Sequence, residues 1–163
     1  MSRISDWQII ERSEQAAISI HIKVPLKDMQ STIDNSRQKL TRFLQEKGRY
    51  PVGAFYVAYY SFSKEAVVLE AGFPLNKPIA SENQFEASQQ AGGVYLTCYH
   101  QGAYRKIPKV YQEMDAWLIE HDFETNGVTE EIYLNHDVEE KLLLTQVLIP
   151  IKKISQKEPP NDK

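Results

Sequence analysis

The chain has 163 residues, of which 42% are hydrophobic and 25% are charged, a composition typical of globular proteins. A formal net charge of −3, with no stripe of basic residues, argues against binding to a nucleic-acid backbone. The single cysteine, Cys98, excludes an intrachain disulfide, and neither a signal peptide nor an apolar run of the roughly 20 residues that a membrane span needs is present, so we expect a cytoplasmic protein.

The predicted elements occur twice in the same order: a strand, a helix and two further strands, closed by a proline. Each helix carries one apolar stripe, and the strands are rich in aromatic and β-branched residues. The first copy comprises a strand from Ala16, a helix at 28–47, strands at 52–62 and 66–73, and Pro74; the second comprises a strand at 94–100, a helix at 107–121, strands at 129–134 and 142–149, and Pro150.

The copies are about 76 residues apart, which is too long for a solenoid repeat and fits two halves of one pseudo-symmetric domain. We therefore predict an α+β fold built from a duplicated β-α-β-β unit, with a mostly antiparallel sheet, both helices on one face and a ligand cleft at the pseudo-twofold seam. The polar segment 75–90 is predicted to be a linker. One domain is predicted at 5–152, with halves at about 14–75 and 91–151, and a disordered tail at 153–163.

The clearest break in the internal symmetry is a glutamate. Aligning the copies on Gly53 and Gly127 places Val57 opposite Glu131. The expected strand alternation puts Glu131 and Tyr133 on one face, and Ile132 and Leu134 on the face that meets the helices. Burial would raise the pKa of a carboxyl group in an aromatic cavity unless a cation pairs with it. Such a group suits either cation binding or general acid–base catalysis, and the alternative is an ordinary solvated strand residue.

Further candidates are one more glutamate and several aromatic residues. Glu70 is the only charge in the strand at 67–73, where it is either a ligand contact or an edge-strand gatekeeper. Tyr104 follows Gly102-Ala103 in the turn between strand and helix, a position that favours function. Trp117 lies on the helical stripe, so core packing is its main alternative. The predicted ligand-binding set is Phe55, Val57, Tyr59, Glu70, Tyr104, Trp117, Glu131 and Tyr133.

No metal or cofactor is predicted. The four histidines show no ligand spacing, and the chain has no glycine-rich phosphate loop and no serine-nucleophile motif.

Several segments resemble the GyrI-like family. They are GGVYLTCYHQGAY at 92–104, EIYL at 131–134 and TQVLIP at 145–150, together with Tyr111 and Trp117; in the first copy they are residues 53–60 and EAGFP at 70–74. The resemblance covers about residues 7–152. It implies the effector-binding domain found in bacterial multidrug-responsive transcription activators, with bulky, often cationic aromatic ligands bound at the seam by the acidic residue that corresponds to Glu131.

The resemblance also implies two other activities. Some stand-alone relatives resemble hydrolases of cyclopropane-containing toxins, for which Glu131 and Tyr104 would be the catalytic residues, and others inhibit gyrase through protein contact. The chain departs from the family pattern at His136-Asp137, which would reshape a turn, and at Ala103, where proline is common. It also has Gln146 in place of a frequent acid, which we expect to lower the negative charge of the pocket.

Three functions follow as hypotheses. The first is a stand-alone protein that senses or sequesters a hydrophobic aromatic compound, including cationic ones. The second is a hydrolase of small electrophilic toxins. The third is an interaction module for a protein partner such as gyrase or a separate regulator. Because the domain starts within about ten residues of Met1, we expect no helix-turn-helix and no direct nucleic-acid binding.

Overall fold

The computed structural model describes residues 3–155, so most of the predicted tail lies outside it. Its strands and helices confirm the predicted α+β class, and every strand pairing is antiparallel. The elements are β1 (Gln8–Arg12), β2 (Gln15–Val24), α1 (Met29–Glu46), β3 (Tyr56–Phe62), β4 (Val67–Pro74), β5 (Glu86–Gln90), β6 (Gly93–Gln101), α2 (Ile107–Glu120), β7 (Phe123–Thr125), β8 (Thr129–Tyr133) and β9 (Leu144–Lys153), with short 3-10 turns at Leu26–Asp28, Tyr104–Lys106 and Glu140–Leu142.

The order of strands across the sheet shows the duplication directly. It runs β1-β6-β9-β8-β3-β4-β2-β5, with β7 paired to β9 off this path. Exchanging the two copies maps this order onto itself, with β1 and β5 exchanged at the two edges. Each of these edge strands pairs with the first long strand of the other copy, β1 with β6 and β5 with β2. The repeating unit therefore has one more strand than the predicted β-α-β-β unit.

Two predictions about segments are corrected here. The segment 75–90 is not only a linker, because its last five residues form β5. The strand β1 was not predicted at all, and Lys153, assigned to the tail, ends β9. Both β1 and β5 are short and largely polar, so neither shows the alternating pattern by which a strand is recognised. Their places are set by pairing across the two copies.

The two copies meet where β3 pairs with β8. In this ladder Val57 is the direct partner of Glu131. Because the sequence alignment makes the same two residues equivalent, the pseudo-twofold axis passes between them. Glu131 therefore lies at the centre of the seam, and the two helices lie on either side of it.

Both helices cover the same face of the sheet. The stripe of α1 packs against residues of β2, β3 and β4, and the stripe of α2 packs against β6 and β9. Gly48, in the left-handed region at φ 64°, ends α1 as its sequence position predicts. The helix-facing core residues are Ile18, Ile33, Leu40, Leu44, Val57 and Leu69 in one cluster, and Leu96, Cys98, Val110, Met114, Val147 and Ile149 in the other.

The predicted orientation of β8 is wrong. Ile132 lies on the face away from the helices, in a small cluster with Tyr56 and Ala58. Glu131 and Tyr133 therefore point toward the helices. The alternation itself holds, but it does not say which of the two faces the helices cover. In β3, a bulge between Tyr59 and Ser61 reverses the alternation.

Candidate functional site

A cavity of about 500 Å³ lies at the seam on the helix side of the sheet. Its floor is formed by β3 and β8, and one wall is the first turn of α2. This size falls within the range of sites that enclose small organic molecules. The lining residues are Met29, Gln30, Tyr59, Tyr60, Ser61, Phe62, Tyr104, Ile107, Pro108, Tyr111, Thr129, Glu131 and Tyr133.

Glu131 is the only carboxylate among these lining residues. Its residue surface is 6% exposed. The Tyr111 hydroxyl donates to Oε2 at 2.6 Å, and the Tyr133 hydroxyl donates to Oε1 at 2.9 Å. Burial raises the pKa of Glu131 above its ordinary value, and these two hydrogen bonds oppose the rise. The predicted carboxyl group in an aromatic setting is therefore present.

The tyrosines around Glu131 form a connected set of hydroxyl groups. The hydroxyls of Tyr59 and Tyr133 lie 3.1 Å apart. Burial, reinforced by the nearby Glu131 carboxylate, raises the pKa of Tyr59, Tyr111 and Tyr133. These phenols therefore stay protonated at neutral pH and act as hydrogen-bond donors.

In the part of the chain that the structure describes, no basic side chain neutralises this carboxylate. Among residues 3–155, none of the ion pairs involves Glu131. The adjacent Glu130, which faces the other way, shows the contrast because it pairs with Arg12 and also accepts a hydrogen bond from Gln90. Burying a carboxylate without a cation is costly, and this cost is why the pKa of Glu131 is raised.

The polar pair of Tyr111 and Glu131 belongs to one copy only. Tyr111 is the fifth residue of α2, and Ile33 is the fifth residue of α1. The corresponding pair in the first copy, Ile33 with Val57, is buried and apolar. The asymmetry predicted at position 131 thus extends to the helix above it. The second copy has a polar pair at the seam, where the first copy has apolar core.

The structure brings together four of the eight residues predicted to bind ligand. Glu131, Tyr133, Tyr59 and Tyr104 all line the cavity. Tyr104 reaches it from the 3-10 turn before α2, where its ring makes a T-shaped contact with the ring of Tyr133 at a centroid distance of 5.3 Å.

The other four predicted residues lie elsewhere. Val57 is fully buried in the core beneath α1, and Phe55 borders a neighbouring cavity. Trp117 stacks on His121 and Phe123 at the far end of α2, as its core-packing alternative proposed.

Glu70 lies on the opposite face of the sheet. It is 3% exposed and accepts hydrogen bonds from the hydroxyls of Tyr56 and Tyr60, at 3.0 and 2.8 Å. It is not an edge-strand gatekeeper either, because β4 is an inner strand of the sheet. With Glu130 it borders a smaller cavity of about 260 Å³.

Sequence reasoning missed Tyr111 as a site residue, although it is the strongest partner of Glu131. The available signal was a hydroxyl-bearing residue on the apolar stripe of α2, where the other copy has Ile33. Phe62 was also missed. The bulge in β3 turns it toward Tyr59, with a centroid distance of 6.2 Å, and no sequence pattern indicates that bulge.

A second cavity of about 610 Å³ adjoins the first under α1. The two share Gln30, Tyr104 and Tyr133 as a common wall. The family departure at His136-Asp137 falls in the turn that borders this second cavity. The lining residues are Gln30, Ile33, Asp34, Arg37, Gln38, Thr41, Arg42, Gln45, Ala54, Phe55, Phe73, Tyr104, Tyr133, Leu134, Asn135, His136 and Asp137.

The other two departures from the family pattern have small effects on the site. Gln146 donates to Thr97 and lies outside the lining of both helix-side cavities, so the expected loss of pocket charge at this position is wrong. Ala103 has φ −60° and ψ 142°, a backbone conformation that proline also adopts.

Within residues 3–155, no group of three or more His, Cys, Asp and Glu side chains is placed to hold a metal ion. The helices described in the same part of the chain are too short or too polar to cross a membrane.

Three solved structures show the same fold at low sequence identity. The EcmrR C-terminal domain aligns with a TM-score of 0.73 at 15% identity, covering 91% of this chain and 98% of that one. SAV2435 bound to tetraphenylphosphonium aligns with a TM-score of 0.64 at 12% identity, covering 91% and 94%. A hydrolase from Listeria innocua aligns with a TM-score of 0.66 at 10% identity, covering 90% and 91%.

The chain also aligns with EcmrR in its complex with DNA, with a TM-score of 0.83 at 15% identity, covering 91% of this chain but only 58% of the EcmrR chain. None of the curated proteins compared with the chain matches its sequence. The model of the GyrI-like small molecule binding domain family matches residues 5–152. The chain therefore belongs to the GyrI-like small molecule binding domain family.

Proposed function

We propose that this protein binds a hydrophobic aromatic cation in the seam cavity, with Glu131 as the counter-ion. The observation that carries the proposal is the buried carboxylate of Glu131, which has two tyrosine donors and no basic partner among the described residues. A neutral ligand would leave this group either protonated or uncompensated. A cation supplies the missing charge, and an apolar one does so with a small desolvation cost of its own.

The walls of the cavity favour the same class of ligand. Tyr59, Tyr104 and Tyr133 present aromatic rings that can stack on planar groups and attract a cation by their negative faces. Ile107 and Met29 add apolar surface. The complex of SAV2435 with tetraphenylphosphonium supports the proposal, since it shows that a protein of this fold accommodates such a cation.

The test uses two probes of nearly equal shape and opposite charge. Tetraphenylphosphonium and tetraphenylborate are titrated calorimetrically against the wild-type protein and against Glu131→Gln. We expect the wild type to bind the cation and to reject the anion, because the cavity holds one carboxylate. In Glu131→Gln the cation should bind about tenfold or more weakly, as expected for loss of a partly desolvated ion pair.

Glu130→Gln is the matched control, because it makes the same change one residue away on the opposite face of the sheet. It should leave cation binding unchanged. Equal affinity for both probes in the wild type, or an unchanged cation affinity in Glu131→Gln, would contradict the proposal.

The hydrolase hypothesis stays a prediction. A raised pKa suits Glu131 to general acid catalysis, and Tyr104 lines the same cavity. However, both oxygens of Glu131 already accept hydrogen bonds from Tyr111 and Tyr133, and none joins it to Tyr104. Loss of turnover of an electrophilic substrate in both Glu131→Gln and Tyr104→Phe would establish it.

The remaining hypotheses also stay predictions. They are a part in transcription regulation, a protein partner such as gyrase or a separate regulator, the lack of direct nucleic-acid binding, and the cytoplasmic location. Affinity purification from a bacterial extract tests the protein partner, and retention of a stoichiometric protein would support it.

A further inference from the structure

We propose that the ligand is zwitterionic. Its cation pairs with Glu131, and its carboxylate lies in the adjoining cavity under α1, where it pairs with Arg37 and Arg42. This inference rests on the proposed function, since it assumes that the cationic end of the ligand lies at Glu131. It adds a second polar site and names the class of molecule: an aromatic cation joined to a carboxylate.

The first observation is the continuity of the two cavities. They share Gln30, Tyr104 and Tyr133, so these side chains form a common wall between them. Gln30 is exposed on α1, and among residues 3–155 its side chain hydrogen-bonds only to Asp34, the exposed residue one turn further along the helix. It can therefore move aside without any change in the backbone. An extended ligand can pass from one cavity into the other at this point.

The second observation is the charge of the wall. Arg37 and Arg42 line the second cavity, and neither forms an ion pair or a side-chain hydrogen bond with any residue in 3–155. Arg37 is half-buried and Arg42 is exposed. A guanidinium group in this position is suited to pair with a carboxylate in bidentate geometry.

The third observation concerns the carboxylates of the second cavity. Asp34 and Asp137 also line it, but both are exposed, and Asp34 accepts a hydrogen bond from Gln30. Arg37 also lies near Tyr104 in the shared wall: burial raises the pKa of Tyr104, the positive charge of Arg37 opposes that rise, and the negative charges of Asp34 and Glu131 add to it. Arg37 is therefore the least exposed of the four charged side chains that line this cavity, and it is positive, in contrast to the negative Glu131 in the first cavity.

The fourth observation is the apolar floor between the charged groups. Phe55 and Phe73 line the second cavity from the sheet, with their rings 5.2 Å apart, and Ile33 lines it from α1. A hydrocarbon linker between the two charged ends of a ligand would lie on this surface. Along the seam, a ligand would therefore meet first the carboxylate of Glu131, then the aromatic and apolar floor, and finally the guanidinium groups of Arg37 and Arg42.

The experiment compares probes that differ only in the end group of the chain. Carboxybutyl and carboxydecyl triphenylphosphonium are titrated beside butyl and decyl triphenylphosphonium, so that both short and long linkers are covered. In the wild type we expect at least one carboxylate probe to bind about fivefold more tightly than its alkyl counterpart, the gain of a partly exposed ion pair. In the double variant Arg37→Gln and Arg42→Gln this preference should disappear.

Lys39→Gln is the matched control, because Lys39 lies on the same helix and lines a different surface pocket. It should keep the preference for the carboxylate. If the alkyl probes bind to the wild type and the carboxylate probes bind no more tightly, this inference is overturned and the proposed function stays intact. A preference that survives in the double arginine variant would also overturn it. If no probe binds, both proposals fail.

Discussion

The hydrogen bond from Tyr111 to Glu131 gives the most direct test of the site as the structure describes it. Tyr111→Phe removes one hydroxyl and keeps the ring that packs on the core cluster of α2. The lost bond is short, at 2.6 Å, and ends on a buried carboxylate. A hydrogen bond to a charged group contributes about 1.5–3 kcal/mol. Because Tyr133 still donates to the other oxygen, we expect a loss of about 2 kcal/mol in the free energy of unfolding at pH 8.

The effect should depend on pH, and its sign follows from the pKa of Glu131. Burial raises this pKa in the folded protein above 4.5. The stability that the group contributes is therefore full below about pH 4.5 and is lost as the pH rises through the folded pKa. The Tyr111 hydrogen bond lowers the folded pKa, so Tyr111→Phe raises it further and enlarges the loss at high pH. At pH 4 the carboxyl group is neutral, and the cost of the substitution should fall to about 1 kcal/mol.

Chemical denaturation at pH 4 and pH 8 measures this difference. Tyr50→Phe serves as control, because Tyr50 is 81% exposed and the change should stay within about 0.5 kcal/mol. An equal cost of Tyr111→Phe at both pH values, or a cost below about 0.5 kcal/mol at pH 8, would refute the description of Glu131 as a buried group with a raised pKa.

Three further predictions concern ligand binding and stability. The affinity of the wild type for tetraphenylphosphonium should rise as the pH increases above 4.5 and Glu131 ionises, whereas Glu131→Gln should show no such rise; a flat calorimetric profile in the wild type would contradict this. Arg12→Gln breaks the largely buried ion pair with Glu130 and should lower the free energy of unfolding by about 3 kcal/mol, as measured by chemical denaturation. Arg105→Gln breaks an exposed ion pair and should lower it by less than about 1 kcal/mol, so similar losses in the two variants would contradict the prediction. Gly72→Ala should also cost about 3 kcal/mol, because an added Cβ would lie 2.6 Å from the backbone oxygen of Ile18, and a thermal midpoint equal to that of the wild type would count against this close approach.

The duplication and the location of the seam could be predicted from the sequence because each depends on local signals. Hydrophobic periodicity marks both helices, and aligned glycines place Val57 opposite Glu131. The β3–β8 ladder then makes these two residues direct partners. A carboxylate on a symmetry axis stands out in any comparison of two copies, since its equivalent is apolar.

The edge strands β1 and β5 could not be predicted, because the pairing that stabilises each of them is made with the other copy. Neither strand has enough apolar residues to produce a pattern of its own. Long-range contacts decide such cases, and a single sequence carries no record of them.

The sequence by itself determined which side chains share a face, because alternation along a strand is a property of the backbone. It paired Glu131 with Tyr133 correctly. Only the tertiary structure decided that this face meets the helices, since both faces of the sheet carry apolar side chains and either could receive the apolar stripe of a helix. That choice brings Tyr111 from α2 onto Glu131 and encloses the carboxylate between the helices and the sheet. The sequence therefore identified Glu131 as the unusual residue, and the packing of the helices on the sheet determined that it is buried.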